Sequence, residues 1–289
     1  MSASSGSRSD IVRQVAVISA VCFMIVAAMV GTGLLGGTNV RDVQGGALDA
    51  DATVLAPDRP AFSIWSVIYV LMLAYTVWQA LPSQRARARQ RAAGWWVALT
   101  AVLNGAWLLA SQFLTLIATV IAIVLLLVAL AVTIRRLTLH PAESLLDSIL
   151  FDGTVGLHLG WVSLATVANV TAWLTAEVAP ASWADAADSV GVVVLVVVAV
   201  IGVALAWGAG GRIAPALAMS WGLVWIGVAR TTGEPESTPV AVAAWIAAGV
   251  ILASAVVVRG RVGWSPTAST GAAASAAPAS RAGAARVSG

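Results

Sequence analysis

Residues 115–136 read TLIATVIAIVLLLVALAVTIRR. Positions 115–134 carry no charge, and Arg135 and Arg136 close the run. A helix rises ~1.5 Å per residue, so this run is ~30 Å long, the thickness of a bilayer's hydrocarbon core. The run reads as a transmembrane helix whose arginine-bearing end is cytoplasmic.

Similar runs recur on both sides, at 14–36, 61–81, 95–113, 148–174, 190–208, 213–229 and 239–258. With 115–134 they make about eight transmembrane segments. Helices are the expected form, because an open sheet edge cannot be satisfied in lipid. Composition agrees. The 289 residues are 60% hydrophobic and 10% charged, against ~25% charged in a soluble domain. Mean hydropathy is +0.91. The fold class is therefore all-α, a polytopic membrane helix bundle. The third and fourth runs meet at Gln112–Thr115 and predict a tight hairpin. The first run, with Arg8 and Arg13 ahead of it, resembles a signal peptide in outline. Its length and the lack of a clear small-residue cleavage site favour a retained helix.

Arginine placement sets orientation. Arg85, Arg87, Arg89 and Arg91 lie in the second loop, Arg135 and Arg136 in the fourth, Arg212 in the sixth, and Arg259 and Arg261 after the last run. The first loop holds Asp42, Asp49, Asp51 and Asp58 against Arg41 and Arg59. The fifth holds Glu177, Asp185 and Asp188, and the seventh Glu234 and Glu236 against Arg230. Alternate loops agree on one topology with both termini cytoplasmic and an even number of helices. A pI near 10.0 alone would suggest nucleic-acid binding. Arginines confined to short loops and chain ends argue membrane orientation instead, so no nucleic-acid partner is expected. The single Cys22 excludes an intramolecular disulfide and reads as a small buried hydrophobe. Residues 37–60 form the one sizeable outer loop, either a lid or a flexible connector. The expected organisation is a cytoplasmic N-terminus over 1–13, a five-helix bundle over 14–175, three further helices over 176–260 and a disordered cytoplasmic tail over 261–289. Arg281 and Arg286 lie in that tail.

Residue supply excludes several chemistries. No lysine is present for a retinal Schiff base. Only His140 and His158 exist, and His140 precedes Pro141 in a loop, so a haem held by two histidines at membrane depth is not supported. No metal-ligand spacing and no phosphate-binding glycine loop appear. Polar residues at membrane depth must face the bundle interior or a cavity. These are Asn104 in the third run and Asp152, His158, Ser163 and Asn169 in the fifth. At ~100° per residue, His158 and Asn169 share a face, with Trp161 about 60° away. They read either as hydrogen-bonding glue between helices or as the lining of a ligand cavity. Asp152, near the cytoplasmic end, is expected to pair with Arg135 or Arg136. Thirteen tryptophans accompany two tyrosines and four phenylalanines. Trp95, Trp96, Trp183 and Trp264 suit the headgroup zone. Trp65, Trp107, Trp161, Trp221, Trp225 and Trp245 lie deep, either as packing residues or as walls for a flat hydrophobic ligand.

Three short motifs stand in order. The second run contains Trp65-Ser66-Val67-Ile68-Tyr69. The third contains Leu103-Asn104-Gly105-Ala106-Trp107, and the fifth contains Trp161-Val162-Ser163 through Asn169. In order and spacing they resemble the tryptophan-rich sensory protein family, also called the translocator protein or peripheral benzodiazepine receptor family. That family has five helices and carries W-T-x-L-Y, L-N-x-x-W and W-x-S-F-A-x-x-L-N on its second, third and fifth. The motif resemblance covers residues 1 to about 175. The prolines that usually precede the family's second-helix tryptophan are replaced by Ser63 and Ile64, and the Pro-Tyr pair before the fifth-helix tryptophan is missing. Three extra C-terminal helices follow, so the chain looks like a divergent, extended member.

The resemblance implies a cavity opening toward the first loop. Its motif positions are Trp65, Tyr69, Asn104, Trp107, Trp161, Ser163 and Asn169, to which the residue reading adds His158. Family members bind porphyrins, and some bind sterols or benzodiazepine-type drugs, so the resemblance implies a hydrophobic ligand of porphyrin (tetrapyrrole) type; the residue reading adds no required cofactor, no metal and no assigned catalytic residue. The expected partners are membrane lipids and a hydrophobic small molecule, in a multi-pass protein of a bacterial-type plasma membrane. Monomer and homodimer both stay open. A binding protein or sensor is the leading reading. A small-solute transporter or channel is the alternative. An intramembrane enzyme is third, because Asp152 and His158 lie about 120° apart on one helix and converge poorly.

Overall fold

The computed structural model describes residues 7–262. The start of the N-terminal segment and the tail after residue 262, with Trp264, Arg281 and Arg286, lie outside the described residues. Eight helices are long and apolar enough to cross a membrane. They are α1 (Arg8–Gly31), α2 (Ile64–Ala80), α3 (Ala88–Phe113), α4 (Leu116–Leu139), α5 (Thr154–Trp173), α6 (Ala187–Gly208), α7 (Ile213–Thr232) and α8 (Thr238–Val262). No strand occurs among the described residues. An even number of crossings puts both described ends on one membrane side, the side that the arginines mark as cytoplasmic.

Local chemistry starts and stops these helices. Ser7 caps α1: its hydroxyl accepts from the Asp10 amide while Asp10 accepts from the Ser7 amide. The α3–α4 hairpin turns at Leu114 and Thr115, as expected. Gly210 and Gly211 take φ of 65° and 70° between α6 and α7, a left-handed geometry that glycine adopts without strain. α5 is lengthened by a π-helical turn at each end, Ser148–Gly153 and Leu174–Val178.

The helices pack around two main apolar clusters. One draws on α1 to α5, with Val17, Met24, Met72, Ile123, Leu130 and Leu159 at its centre. The other draws on α6 to α8 and includes Leu195, Leu223, Val240 and Ile251. α5 joins the two, since its Leu164 sits in the second cluster. The junction is close because it is built from small residues. A side-chain carbon at Gly160 would collide with the Pro215 carbonyl of α7, and one at Gly222 would collide with Leu164. Gly202 meets Ile251 in the same way. α6 presents Val193, Val196, Val197, Val200 and Ile201 outward, as a lipid-facing helix should. Cys22 also faces outward on α1 and is not the buried residue expected, because the inward stripe of α1 falls on Val17, Val21, Met24 and Ala28.

The close approach at Gly160 makes a checkable difference. Gly160→Ala should destabilise the protein by about 1–3 kcal/mol, because Pro215 presents rigid backbone at the contact. Gly249 has open space around it, so Gly249→Ala should leave stability unchanged or raise it by up to ~1 kcal/mol. Thermal melts of the detergent-solubilised variants compare the two.

Candidate functional site

A cavity of about 70 Å³ lies in the outer half of the bundle, walled by α2, α3, α4 and α5. That is several times the ~10–15 Å³ that a single water needs. Trp65, Asn104, Trp107, Trp161 and Asn169 line it, with Ile123, Leu126, Val162 and Ala165. Two wider openings adjoin it beneath the first loop. One, of about 450 Å³, runs between α1 and α2 and shares Phe62, Trp65 and Trp107 with the inner cavity. The other, of about 630 Å³, lies between the loop and the outer end of α5.

The aromatic wall is ordered by ring contacts. Trp65 stacks on Tyr69 at 5.3 Å and meets Trp161 edge to face at 6.2 Å. Phe62 meets Trp161 edge to face at 5.6 Å. These offset and perpendicular geometries suit the ring quadrupoles. The polar groups divide into satisfied and unsatisfied ones. Asn169 ties three helices: its amide donates to Thr119 Oγ1 on α4 at 3.0 Å, and its carbonyl accepts from Trp107 Nε1 on α3 at 3.4 Å. Asn104 is buried, and neither its carbonyl nor its amide has a hydrogen-bond partner in the protein. The Trp161 indole N–H, also buried, has none.

The motif residues are therefore not all on one surface. Trp65, Asn104, Trp107, Trp161 and Asn169 converge on the inner cavity, while Tyr69 lines only the opening between α1 and α2. Ser163 donates to Leu159 of its own helix at 2.7 Å. His158 is wholly buried behind Trp65, ring centroids 5.7 Å apart, and does not line the cavity. Trp221 and Trp245 do not line the cavity either: both stand within their spans but are substantially exposed on the surface of the bundle, with Trp225 partly buried beside Trp221.

The first loop is a lid. Val40, Ala47, Leu48, Asp49, Thr53, Ala56 and Pro57 form the cavity's outer boundary. On one side Gln44 Nε2 donates to the Ser111 and Leu114 carbonyls, and Gln112 exchanges two hydrogen bonds with the Thr38 backbone. Across the middle Arg59 makes a bidentate pair with Asp49, at 3.1 and 2.6 Å. On the other side Arg230 of α7 donates to the Thr53 and Ala50 carbonyls. None of these lid contacts follows a sequence motif, and Arg230 reads in the sequence as one more loop charge.

The cytoplasmic end is closed by ions. Asp152 accepts from Arg89 at 2.6 Å and from Arg212 at 3.0 Å. Arg89 also pairs with Asp147 at 2.5 Å and lies over the Phe151 ring. This corrects the expected pairing of Asp152 with Arg135 or Arg136, both of which are exposed on α4. The reason is the π turn, whose i→i+5 bonding brings Asp147 and Asp152 to one side, toward α3 and the α6–α7 turn.

Eight membrane-crossing helices around a tryptophan-walled cavity, lidded outside and ion-locked inside, define a polytopic membrane protein with an internal apolar chamber. A family profile described as TSPO-like protein matches residues 13–257, and the chain belongs to that family. The match spans all eight helices, so the last three fall within the family's reach, although the short motifs end near Asn169. No curated protein and no solved structure matches the chain significantly.

Two outcomes follow from this geometry. Arg89→Met leaves Asp147 without its arginine and Asp152 with Arg212 alone, and should cost about 3–5 kcal/mol in a melt or denaturant titration. The Arg59 guanidinium holds the Asp49 carboxyl below its usual 3.8. A carboxylate whose pKa is depressed on folding contributes stability that is full above its unfolded value and is lost as pH falls through the lower folded value. Lid order, read by hydrogen exchange in residues 47–59, should therefore stay constant from pH 7 to about 5, with its pair-dependent part lost only below about pH 4.

Proposed function

We propose that this chain is a membrane-embedded binding protein, or sensor, for a flat hydrophobic ligand of tetrapyrrole type, held in the chamber beneath the lid. The observation that carries the reading is the pair of buried, unpartnered polar groups on the chamber wall, the Asn104 amide and the Trp161 N–H. A buried polar group without a partner costs ~1–3 kcal/mol. A ligand that supplies an acceptor to Trp161 and a complementary edge to Asn104 recovers that cost, while Trp65 and Trp107 offer stacking faces. The inner cavity is smaller than a macrocycle, so the ring body would extend into the opening between α1 and α2, past Trp65 and Tyr69. Acidic substituents would then lie toward Arg41 and Arg59 at its mouth. The ion lock at the cytoplasmic end favours a closed-ended binding chamber over a channel. A bacterial-type plasma membrane fits the arginine asymmetry, with lipid as the partner of the outer surface.

Protoporphyrin titrated into purified protein tests this by tryptophan quenching. Saturable quenching is expected, with Kd raised about tenfold or more in Trp107→Leu, Trp161→Leu and Asn104→Leu, a loss of ~1.4 kcal/mol or more. Unchanged affinity in all three folded variants would remove the chamber from the reading.

A further inference from the structure

Arg230 is an unusual cation. It sits in the last turn of α7 with 1% of its surface exposed, and it makes no ion pair among the described residues. Its donors go to backbone carbonyls: Thr53 at 3.0 Å, Ala50 at 2.9 Å and, weakly, Glu234 at 3.4 Å. A buried cation whose hydrogen bonds all go to neutral acceptors is costly, and Asp51, Asp58 and Glu234 offset part of that cost from nearby without pairing with it. Its two best contacts both fall on the lid, 177 and 180 residues away in sequence.

The same stretch of lid is seated on the C-terminal helices by packing. Leu55 is 2% exposed and belongs to the cluster of Leu195 and Val240. Val54 and Leu55 lie against Gly191 of α6, where an added side-chain carbon would come within 3.1 Å of Val54. The Asp58 amide donates to the Trp225 carbonyl of α7 at 3.2 Å. Within 50–56 the loop's own hydrogen bonds are short-range, from Ala52 to Asp49, Leu55 to Thr53 and Ala56 to Thr53. Thr53, whose carbonyl Arg230 holds, is itself a cavity-lining residue.

We infer that Arg230 is a positioning residue: by holding the Ala50 and Thr53 carbonyls it keeps the second part of the lid, residues 47–56, shut, so the three C-terminal helices govern how often the chamber opens. The opening of the lid does not depend on what the chamber binds. The effect on ligand exchange rests on the proposed binding role.

Hydrogen exchange on ligand-free protein in detergent or nanodiscs reads the lid directly. Arg230→Met should raise exchange in residues 47–56 by about tenfold or more, the scale on which losing a charged hydrogen bond shifts a local opening equilibrium. Residues 38–45, latched by Gln44 and Gln112, and helices α1 to α5 should be unchanged. Arg230→Lys, which keeps the charge, should restore part of the protection. In stopped-flow quenching with protoporphyrin, Arg230→Met should speed association and dissociation together and change Kd less than either rate. Unchanged exchange over 47–56, or equal loosening of every helix, would overturn the clamp. If Arg230→Met does not fold, Leu55→Ala carries the same exchange test from the packing side, with the same two overturning results. Loosened 47–56 with no protoporphyrin quenching in the parent protein would leave the clamp standing and sink the proposed ligand. Quenching without loosening would do the reverse.

Discussion

Asp152 accepts hydrogen bonds from two arginines that come from different parts of the bundle, Arg89 on α3 and Arg212 at the start of α7. A carboxylate at that depth is tolerable only when fully paired, and each arginine is further occupied: Arg89 by Asp147 and the His140 carbonyl, Arg212 by the Leu137 and Ala209 carbonyls and Thr138. The cluster therefore fixes where α5 enters the bundle relative to α3, α4 and α7. Gly160 then lets α5 lie directly on Pro215, one side toward the five-helix cluster and the other toward α7. Everything that lines the chamber from α5, Trp161, Ala165 and Asn169 included, is placed by that entry point.

The opposite end obeys a different logic. The outer loop is too polar to enter lipid and too long to be held by its own turns, so its order comes from what it rests on. It lies between two hairpins, α3–α4 through Gln44 and Gln112, and α7–α8 through Arg230. The chamber is thus closed inside by the Asp152 ion cluster and outside by side-chain donors to backbone carbonyls together with the Arg59–Asp49 pair. On the proposed binding role, the wide openings that flank the lid offer a ligand its way in from the outer side.

Inside, polar groups follow the rule that lipid-depth donors and acceptors find partners, with informative exceptions. Asn169 spends both ends of its amide on neighbouring helices and acts as glue. Asn104, an asparagine on the same wall, spends neither. The two look equivalent as letters in a sequence, and their surroundings give them different roles. His158 shows the same limit, since its face on α5 points to the back of Trp65 rather than into the chamber.

Hydropathy and arginine asymmetry alone determined eight crossings, both ends on one side and a hairpin within Gln112–Thr115, because lipid imposes length and charge rules that act locally along the chain. Of the seven motif positions, Trp65, Asn104, Trp107, Trp161 and Asn169 meet on the chamber wall, while Tyr69 and Ser163 do not. Only the tertiary structure decided that Asp152 pairs with Arg89 and Arg212, because a π turn changes which side of the helix it occupies and no hydropathy pattern records that. Only the tertiary structure moved Trp221 and Trp245 to the outer surface, and only it turned Arg230 from a loop charge into the lid's anchor. Those outcomes depend on which helices are neighbours. Neighbourhood in a bundle is set by close contacts at glycines and by buried ion pairs between residues far apart in sequence, whose partners a linear reading does not name.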